Sequence, residues 1–237
     1  MVLKADDVQT RSLTVRVSDS AGDVEAVLLR PDNANWLLVF AHGAGAGMHH
    51  PFMKHLAAQL AGCGVATLRY HFPYMQHQRK RPDPPAVLTA TVRGAVAAAS
   101  ETAAGLPLLA GGKSLGGRMT SLTVADERSA SSPGIASVRG LVFVGFPLHP
   151  AGRPGMQRAE HLSRVGVPML FLQGTRDALA DLALLRPLCN TLAPLSTLHV
   201  IDGGDHSFHL LKRSGKTDAD VLAELAHTVA SWAETLV

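Results

Sequence analysis

The stretch of residues 106–119, with the sequence LPLLAGGKSLGGRM, gives the clearest indication of the fold. It opens with an apolar run at 106–110, which is typical of a strand buried on both faces. From 115 to 126 apolar residues recur at three- and four-residue spacing, which predicts a helix. Between the two lies GKSLG at 112–116, which matches the G-x-S-x-G pattern of a tight strand-to-helix turn. The sequence therefore predicts that Ser114 stands exposed at the end of a buried strand, in front of a helix N-terminus.

Apolar runs of the same kind recur on both sides of this stretch and alternate with helix-compatible segments. Strand and helix in alternation, joined by right-handed crossovers, predict an α/β fold with a doubly wound, mostly parallel sheet. Residues 12–17 and 23–29 alternate polar and apolar side chains around Ser20-Ala21-Gly22, which predicts an antiparallel N-terminal hairpin. About 22 residues lie between the predicted strands 140–145 and 168–173, which is too few for a large lid, so any lid is minimal. The predicted strands are 36–41, 65–70, 106–110, 140–145, 168–173 and 197–201, and the predicted helices are 51–61, 86–99, 115–126, 180–192 and 218–235.

Length and composition favour one folded domain. The chain has 237 residues, of which 46% are apolar and 17% charged, so it can bury a sizeable core within a single domain, 1–237. The formal net charge is +3, but the basic residues are scattered, and no nucleic-acid partner is expected. Cys63 and Cys189 lack metal-site spacing and indicate free thiols of a reducing compartment, with a disulfide between them left open. Residues 1–10 lack the apolar run of a signal peptide, and no apolar stretch reaches roughly 18 residues, so we expect a cytoplasmic protein without a membrane span.

A serine hydroxyl is a poor nucleophile alone, so it needs a base within hydrogen-bond reach and an acid that orients the base. In this type of sheet they follow later strands in the order serine, acid, histidine. Asp177 ends GTRD after the strand at 168–173, and His206 ends DGGDH after the strand at 197–201. The sequence therefore predicts a triad of Ser114, Asp177 and His206. The alternatives are Asp181, Asp202 and Asp205 for the acid and His209 for the base.

Acyl transfer also requires N–H donors for the oxyanion. We expect one from the amide of Leu115, directly after the nucleophile, and the other from the HGAGAG loop at 42–47, with Ala44 as first candidate and Gly45 as second. A phosphate-binding loop is the competing interpretation. The 42–47 loop lacks the Gly-Lys-Ser/Thr ending of such a loop, and the spacing of its glycines differs from the dinucleotide fingerprint.

Two loops that leave carboxyl ends of parallel strands, 71–75 and 146–150, are expected to border the pocket. Their candidate pocket residues, together with the lysine beside the nucleophile, are Tyr74, Met75, Leu148, His149 and Lys113. The equally weighted alternative is that these loop residues fill the core. The chain has twelve histidines, notably at 49–50 and 71–77, but none shows a zinc-protease pattern or a helical ligand pair, so neither a metal nor another cofactor is expected.

Several motifs together resemble a known superfamily. HGAGAG at 42–47, FPYM at 72–75, GGKSLGGRM at 111–119, GFPLHP at 145–150 and GTRD at 174–177 resemble the α/β-hydrolase superfamily and its dienelactone-hydrolase-like group of small, nearly lidless enzymes. More narrowly, they are similar to an uncharacterised hydrolase-like family that includes the third subunit of the non-specific-lethal histone acetyltransferase complex. The resemblance spans roughly residues 36–210. It implies an α/β-hydrolase fold with the same triad, and it supplies no substrate.

These residues together predict a serine hydrolase. The expected reaction is cleavage of a carboxylic ester in a small molecule, with a thioester or small amide as further options, through an acyl-enzyme on Ser114. Lys113 and Arg118 add positive charge beside the nucleophile and suggest a substrate with a carboxylate or phosphate. The alternative is a binding or scaffold module that keeps the fold without turnover. We expect a monomer or a homodimer.

Overall fold

The computed structural model describes residues 8–103, 105–130 and 133–236. Eight strands and seven α-helices alternate along this part of the chain, with short 3-10 helices at Gln157–Arg164 and Lys212–Ser214. The predictions made for residues 1–7 lie outside the described residues. The strands are β1 (Val8–Ser18), β2 (Gly22–Pro31), β3 (Trp36–Ala41), β4 (Val65–Tyr70), β5 (Leu108–Lys113), β6 (Val138–Val144), β7 (Met169–Gly174) and β8 (Ser196–Ile201). The helices are α1 (Pro51–Gly62), α2 (Pro73–Gln76), α3 (Pro85–Thr102), α4 (Leu115–Ala130), α5 (Pro133–Ala136), α6 (Leu182–Thr191) and α7 (Asp218–Glu234).

The strands form one eight-stranded sheet in the order β1-β2-β4-β3-β5-β6-β7-β8. β3 to β8 are all parallel, whereas β2 runs antiparallel to both of its neighbours, β1 and β4. The structure therefore confirms the predicted doubly wound, mostly parallel sheet with an antiparallel N-terminal hairpin. Because the carboxyl ends of β3 to β8 share one edge of the sheet, the loops that follow them meet there.

Each central strand contributes to two apolar layers. In β3, Leu37, Val39 and Ala41 pack into the layer on one face of the sheet. The alternate residues of the same strand pack into the layer on the other face, together with side chains of α1 and α7. Since successive side chains of a strand point to opposite faces, a strand covered on both faces has to be apolar throughout. That is why the apolar runs identify these strands in the sequence.

The last helix, α7, shows how sequence sets a helix boundary. Thr217 accepts a hydrogen bond from the backbone N–H of Asp220, and the Asp220 carboxylate accepts from the backbone N–H of Thr217, which closes a capping box. Val221, Leu225 and Val229 then follow at four-residue spacing and are buried against the sheet. The helix therefore begins where its first amides are satisfied, with its apolar stripe turned inward.

The differences from the predicted boundaries have local causes. β5 begins at Leu108 rather than at 106 and continues through two glycines to Lys113. α6 begins at Leu182 rather than at 180 because the Asp181 carboxylate caps it by accepting from the N–H of Ala183. The segment between β6 and β7 forms the 3-10 helix Gln157–Arg164, which packs against α4, so it does not build a lid. No helix within the described residues is long and apolar enough to cross a membrane.

Candidate active site

The turn between β5 and α4 presents Ser114 in a strained backbone conformation. Its φ is +50°, a region that costs a non-glycine residue of order 1–3 kcal/mol. The glycines around it make the turn possible. A Cβ on Gly112 would lie 2.5 Å from the Ala41 carbonyl oxygen, and one on Gly116 would lie 2.6 Å from the carbonyl oxygens of both Ala41 and His42. The G-x-S-x-G pattern is thus explained by the close approach of the end of β3.

Ser114, His206 and Asp177 form one chain of hydrogen bonds, although they come from three separate loops. His206 Nε2 lies 2.9 Å from Ser114 Oγ, and His206 Nδ1 lies 2.7 Å from Asp177 Oδ2. The Asp177 side chain is 1% exposed, whereas that of His206 is 26% exposed. Since the buried aspartate acts as acceptor for Nδ1–H, it fixes the tautomer in which Nε2 can take a proton from the serine.

Asp177 is itself held by two further donors. The side-chain amide of Gln173 donates to Asp177 Oδ2 at 2.5 Å, and the backbone N–H of Leu179 donates to Oδ1 at 2.8 Å. Gln173 is completely buried in β7. The sequence analysis missed this residue, although a single polar side chain inside the apolar run of a central strand was a usable signal. A buried polar group in such a strand needs a partner, and the nearest carboxylate is the predicted acid.

The alternative acids and the alternative base have other partners. Asp181 caps α6, and Asp202 accepts from the Thr175 hydroxyl at 3.4 Å. Asp205 accepts from the backbone N–H groups of Ser207 and His209, which holds the turn that carries His206. The imidazole of His209 is exposed and pairs with Asp218 of α7 at 2.8 Å. The geometry therefore favours the triad over each alternative.

The HGAGAG loop after β3 lies directly against Ser114. A Cβ on Gly43 would lie 3.6 Å from Ser114 Cβ, which places this loop beside the serine. His42 braces the loop, because its Nδ1–H donates to the Gly43 carbonyl at 2.8 Å while Nε2 accepts from the N–H of Phe72 at 3.1 Å. Burial lowers the pKa of His42 to about 4, so its imidazole is neutral at pH 7 and can fill both roles.

Lys113 also belongs to the site. Its ammonium donates to the backbone carbonyl of His206 at 2.5 Å. The same Nζ lies 5.9 Å from the ring centre of Phe52 and 5.7 Å from that of Phe208. Burial lowers the pKa of Lys113 to about 8, against the opposing effect of the carboxylates of Asp177 and Asp205.

A cavity of about 570 Å³ opens in front of Ser114 and His206. Ala44, Gly45 and Lys113 line it as predicted pocket or oxyanion residues. Most of its apolar wall comes from the first turns of α1 and α7 and from the loop that carries His206. The apolar side chains of this wall were not predicted from the sequence. These lining residues are Pro51, Phe52, Met53, Phe208, Val221 and Leu222.

The other four predicted pocket residues do not line this cavity. Tyr74 and Leu148 are completely buried in the apolar layer on one face of the sheet, and Met75 packs against that layer. His149 is buried with both ring nitrogens engaged, since Nδ1–H donates to the Pro150 carbonyl and Nε2 accepts from the N–H of Asp181. The alternative interpretation, in which these loops fill the core, is the one the structure supports, because large apolar side chains gain more from full burial.

Comparison with known proteins identifies the family to which this chain is related. A family model described as "Alpha/beta hydrolase domain" matches residues 34–234. The chain belongs to this family. Curated relatives from two strains of Mycobacterium tuberculosis, each named "Putative phosphoribosyl transferase", are 29% identical over 233 residues. The match covers 96% of this chain but only 47% of those proteins, so the chain spans about half the length of the curated relatives it matches.

Solved structures of other hydrolases share the architecture. A dienelactone hydrolase from Anabaena variabilis superposes with a TM-score of 0.72 at 21% identity, over 95% of this chain and 97% of its own. A serine hydrolase without a lid from Xanthomonas campestris gives 0.68 at 17% identity, over 94% and 95%. An esterase domain from Rhodothermus marinus gives 0.68 at 17% identity, over 95% and 98%. These likenesses confirm the α/β-hydrolase fold; the narrower resemblance to the histone acetyltransferase subunit stays a prediction.

This α/β-hydrolase domain contains a second serine–histidine contact away from the cavity in front of Ser114. Ser121 Oγ lies 2.7 Å from His161 Nε2, and the hydroxyl also donates to the Arg118 carbonyl at 2.9 Å. Because the hydroxyl hydrogen is used there, Nε2–H is the donor to Oγ, and His161 does not act as the base. Burial lowers the pKa of His161 to about 4, with Arg118 and Arg164 adding to the effect. This pair joins α4 to the 3-10 helix Gln157–Arg164.

One group of side chains within the described residues could hold a metal ion. Glu25, His49 and His71 bring their ligand atoms within 4.8 Å of one another. The buried guanidinium of Arg69 donates to the neighbouring Met48 carbonyl at 3.0 Å. A second positive charge at this place opposes the binding of a cation. None of the three possible ligands lines the cavity in front of Ser114.

Proposed function

We propose that this protein is a serine hydrolase that cleaves a carboxylic ester through an acyl-enzyme on Ser114. The observation that carries the proposal is the unbroken chain of hydrogen bonds from Ser114 through His206 to the buried Asp177. It supports a serine mechanism because the base is within reach of the hydroxyl and its tautomer is fixed. Thioesters and small amides are further substrate classes that the same chemistry serves.

In the proposed reaction, Ser114 Oγ attacks the ester carbonyl while His206 Nε2 takes its proton. The N–H groups of Leu115 and Ala44 hold the oxyanion. Leu115 is the first residue of α4, so its amide has no acceptor in a preceding turn of the helix. Collapse of the tetrahedral intermediate expels the alcohol, which receives the proton from His206. Water then attacks the acyl-enzyme with His206 again as base, releasing the acid and restoring Ser114; no cofactor enters these steps.

The surroundings of the nucleophile favour a neutral substrate over an anionic one. The Lys113 ammonium already donates to the His206 carbonyl and faces two aromatic rings. Arg118 does not line the cavity in front of Ser114. The sequence-based expectation of a substrate with a carboxylate or phosphate depended on the charges of Lys113 and Arg118. Neither charge is directed at the place of the substrate. We propose an uncharged acyl group that packs on the side chains of Phe52, Val221 and Leu222.

Fluorophosphonate labelling read by intact mass tests the proposal. We expect one adduct on the wild type and none on Ser114→Ala, together with loss of p-nitrophenyl ester turnover. Ser121→Ala is the matched control, because it removes the other serine that contacts a histidine, and it should label like the wild type. No adduct on folded wild type would refute the proposal and favour the scaffold alternative. A chain-length series of p-nitrophenyl esters, with anionic analogues of the same size, then tests the substrate class.

The remaining expectations are part of the same proposal. We propose one catalytic domain that acts on small molecules in the cytoplasm as a monomer or homodimer. The M. tuberculosis relatives do not lead us to propose phosphoribosyl transfer for this chain, because it matches only 47% of their length and its 42–47 loop has neither the ending of a phosphate-binding loop nor the glycine spacing of the dinucleotide fingerprint.

A further inference from the structure

We infer that Lys113 is a positioning residue that holds His206 at its working distance from Ser114 by binding the backbone carbonyl of the histidine. This inference rests on the proposed function, since it assigns how the general base of that reaction is kept in place. It differs from the sequence-based expectation that Lys113 attracts an anionic substrate. The observation behind it is the 2.5 Å hydrogen bond from Lys113 Nζ to His206 O.

The two ends of this contact lie in different parts of the fold. Lys113 is the last residue of β5 and pairs with Val144 in the parallel ladder, and the next amide, that of Ser114, donates to the Val144 carbonyl at 3.1 Å. The nucleophile and the root of the lysine are therefore fixed by the same two strands. His206 lies instead in a loop beyond the end of β8, where backbone hydrogen bonds join Phe208 to Asp205 and Asp205 to His209 within the loop itself. The lysine thus links this loop to the end of β5 beside Ser114.

The surroundings of the ammonium suit a structural contact. The side chains of Phe52 and Phe208 have ring centres 6.1 Å apart, and Nζ lies within 6 Å of both, the range of a cation–π interaction. A Cβ on Gly145 would lie 3.0 Å from Nζ and 3.5 Å from the His206 ring, so the glycine leaves room for the ammonium beside the histidine. Its φ of +70° also favours glycine. These contacts leave the ammonium directed at the carbonyl rather than at the centre of the cavity.

This arrangement explains why a lysine precedes Ser114 in the turn between β5 and α4. Burial disfavours its charged form, and a residue without charge would pack between the two rings at lower cost. The hydrogen bond to the histidine carbonyl supplies a compensating role that an apolar side chain cannot fill. A charge-assisted bond of this kind is stronger than a neutral one, and it acts on the backbone of the base rather than on its ring. It therefore leaves both imidazole nitrogens free for Ser114 and Asp177.

Lys113→Met tests the inference, because methionine keeps the length of the side chain and removes the ammonium. We expect the rate of fluorophosphonate labelling and kcat for a p-nitrophenyl ester to fall by about 10- to 100-fold, the effect of losing one charge-assisted hydrogen bond. KM should stay within about twofold, since the lysine does not hold the substrate. Lys54→Met is the matched control: Lys54 is exposed on α1, and its loss changes the net charge equally.

A readout without turnover separates this inference from the proposed function. The proton on His206 Nδ1, which bonds to Asp177, is expected to give a low-field NMR resonance in the wild type and Lys54→Met that broadens or disappears in Lys113→Met. If the wild type is labelled and Lys113→Met reacts equally fast, the inference is wrong while the proposed function stands. If the wild type is not labelled, the proposed function fails, and an unchanged resonance in Lys113→Met would then also overturn the positioning role. Lys113→Gln, which is too short to reach the carbonyl, serves as the second variant if the methionine variant does not fold.

Discussion

Replacing Gly116 by alanine should destabilise the protein even though alanine is the better helix former. Gly116 lies in the first turn of α4, and the same change in an exposed helix interior gains about 1 kcal/mol. Here a Cβ would lie 2.6 Å from the carbonyl oxygens of Ala41 and His42 and 2.7 Å from Ala41 Cβ. Ordinary van der Waals contact begins at 3.4 Å, so the end of β3 and the start of α4 have to separate by roughly 0.8 Å.

The magnitude follows from setting the two effects against each other. Overpacking that shifts backbone costs about 1–3 kcal/mol, and two clashes with fixed carbonyls place this site at the upper end. After the gain in helix propensity, about 2 kcal/mol of destabilisation is left. For a chain of this size, each kcal/mol shifts Tm by roughly 2–4 °C, so we expect a fall of about 4–8 °C. Since β3 leads into the loop with Ala44, acylation of Ser114 should slow as well.

Thermal unfolding followed by circular dichroism measures this effect. Gly62→Ala is the matched control, because Gly62 is the last residue of α1 and an added Cβ there would meet no atom within 4 Å. That variant should unfold at or slightly above the wild-type temperature. A Gly116→Ala variant as stable as the wild type would show that the close approach of β3 does not explain the glycine.

Four further predictions address the acid, its support, a pH effect and a helix cap. Asp177→Asn should lower kcat by about 10³- to 10⁴-fold without changing the circular dichroism spectrum, because the amide no longer fixes the working tautomer of the histidine; a loss below tenfold would contradict the triad. Gln173→Leu should slow fluorophosphonate labelling about tenfold, since Oδ2 of the buried Asp177 keeps only His206 of its two donors; unchanged labelling would remove Gln173 from the site. The pKa of Lys113 is lowered from 10.5 to about 8 in the folded protein, so between these pH values the unfolded chain binds this proton more tightly. The free energy of unfolding therefore contains a contribution that rises with pH across that window. Urea titrations at both ends of the window should show a smaller rise for Lys113→Met than for the wild type. Thr217→Ala should cost about 1 kcal/mol in the same assay by removing the cap of α7, and an unchanged midpoint would argue against the capping box.

The strands and the groups of the candidate triad could be located from the sequence because both depend on local patterns. A strand covered on both faces must be apolar along its length, as in Trp36–Ala41, and so it is visible in a single sequence. The groups of the candidate triad lie just beyond the carboxyl ends of β5, β7 and β8, and parallel strands bring these ends to one edge. Chain order and strand position were therefore sufficient to select Asp177 and His206 for that edge.

The pocket could not be predicted in the same way. Whether the loop residues Tyr74 and Leu148 face a cavity or the core depends on the direction in which each loop bends, and no local pattern records it. The contact of Phe52 with the cavity could not be predicted either, because in the sequence Phe52 has the pattern of an ordinary apolar residue in the first turn of a helix. Gln173 differs, because a lone amide in a buried strand requires a partner and could have been assigned one.

The distinction between these two kinds of residue follows from how the fold is built. Strand ends are fixed by hydrogen bonds to both neighbouring strands, so Ser114 and Asp177 are held by the sheet and its turns. His206 is the one member of the candidate triad whose loop extends past the edge strand β8, which has a neighbour on one side only. A base placed there needs support from the centre of the sheet, and Lys113, at the end of the central strand β5, reaches it. The residue next to the nucleophile thus compensates for the position of the histidine at the edge of the sheet.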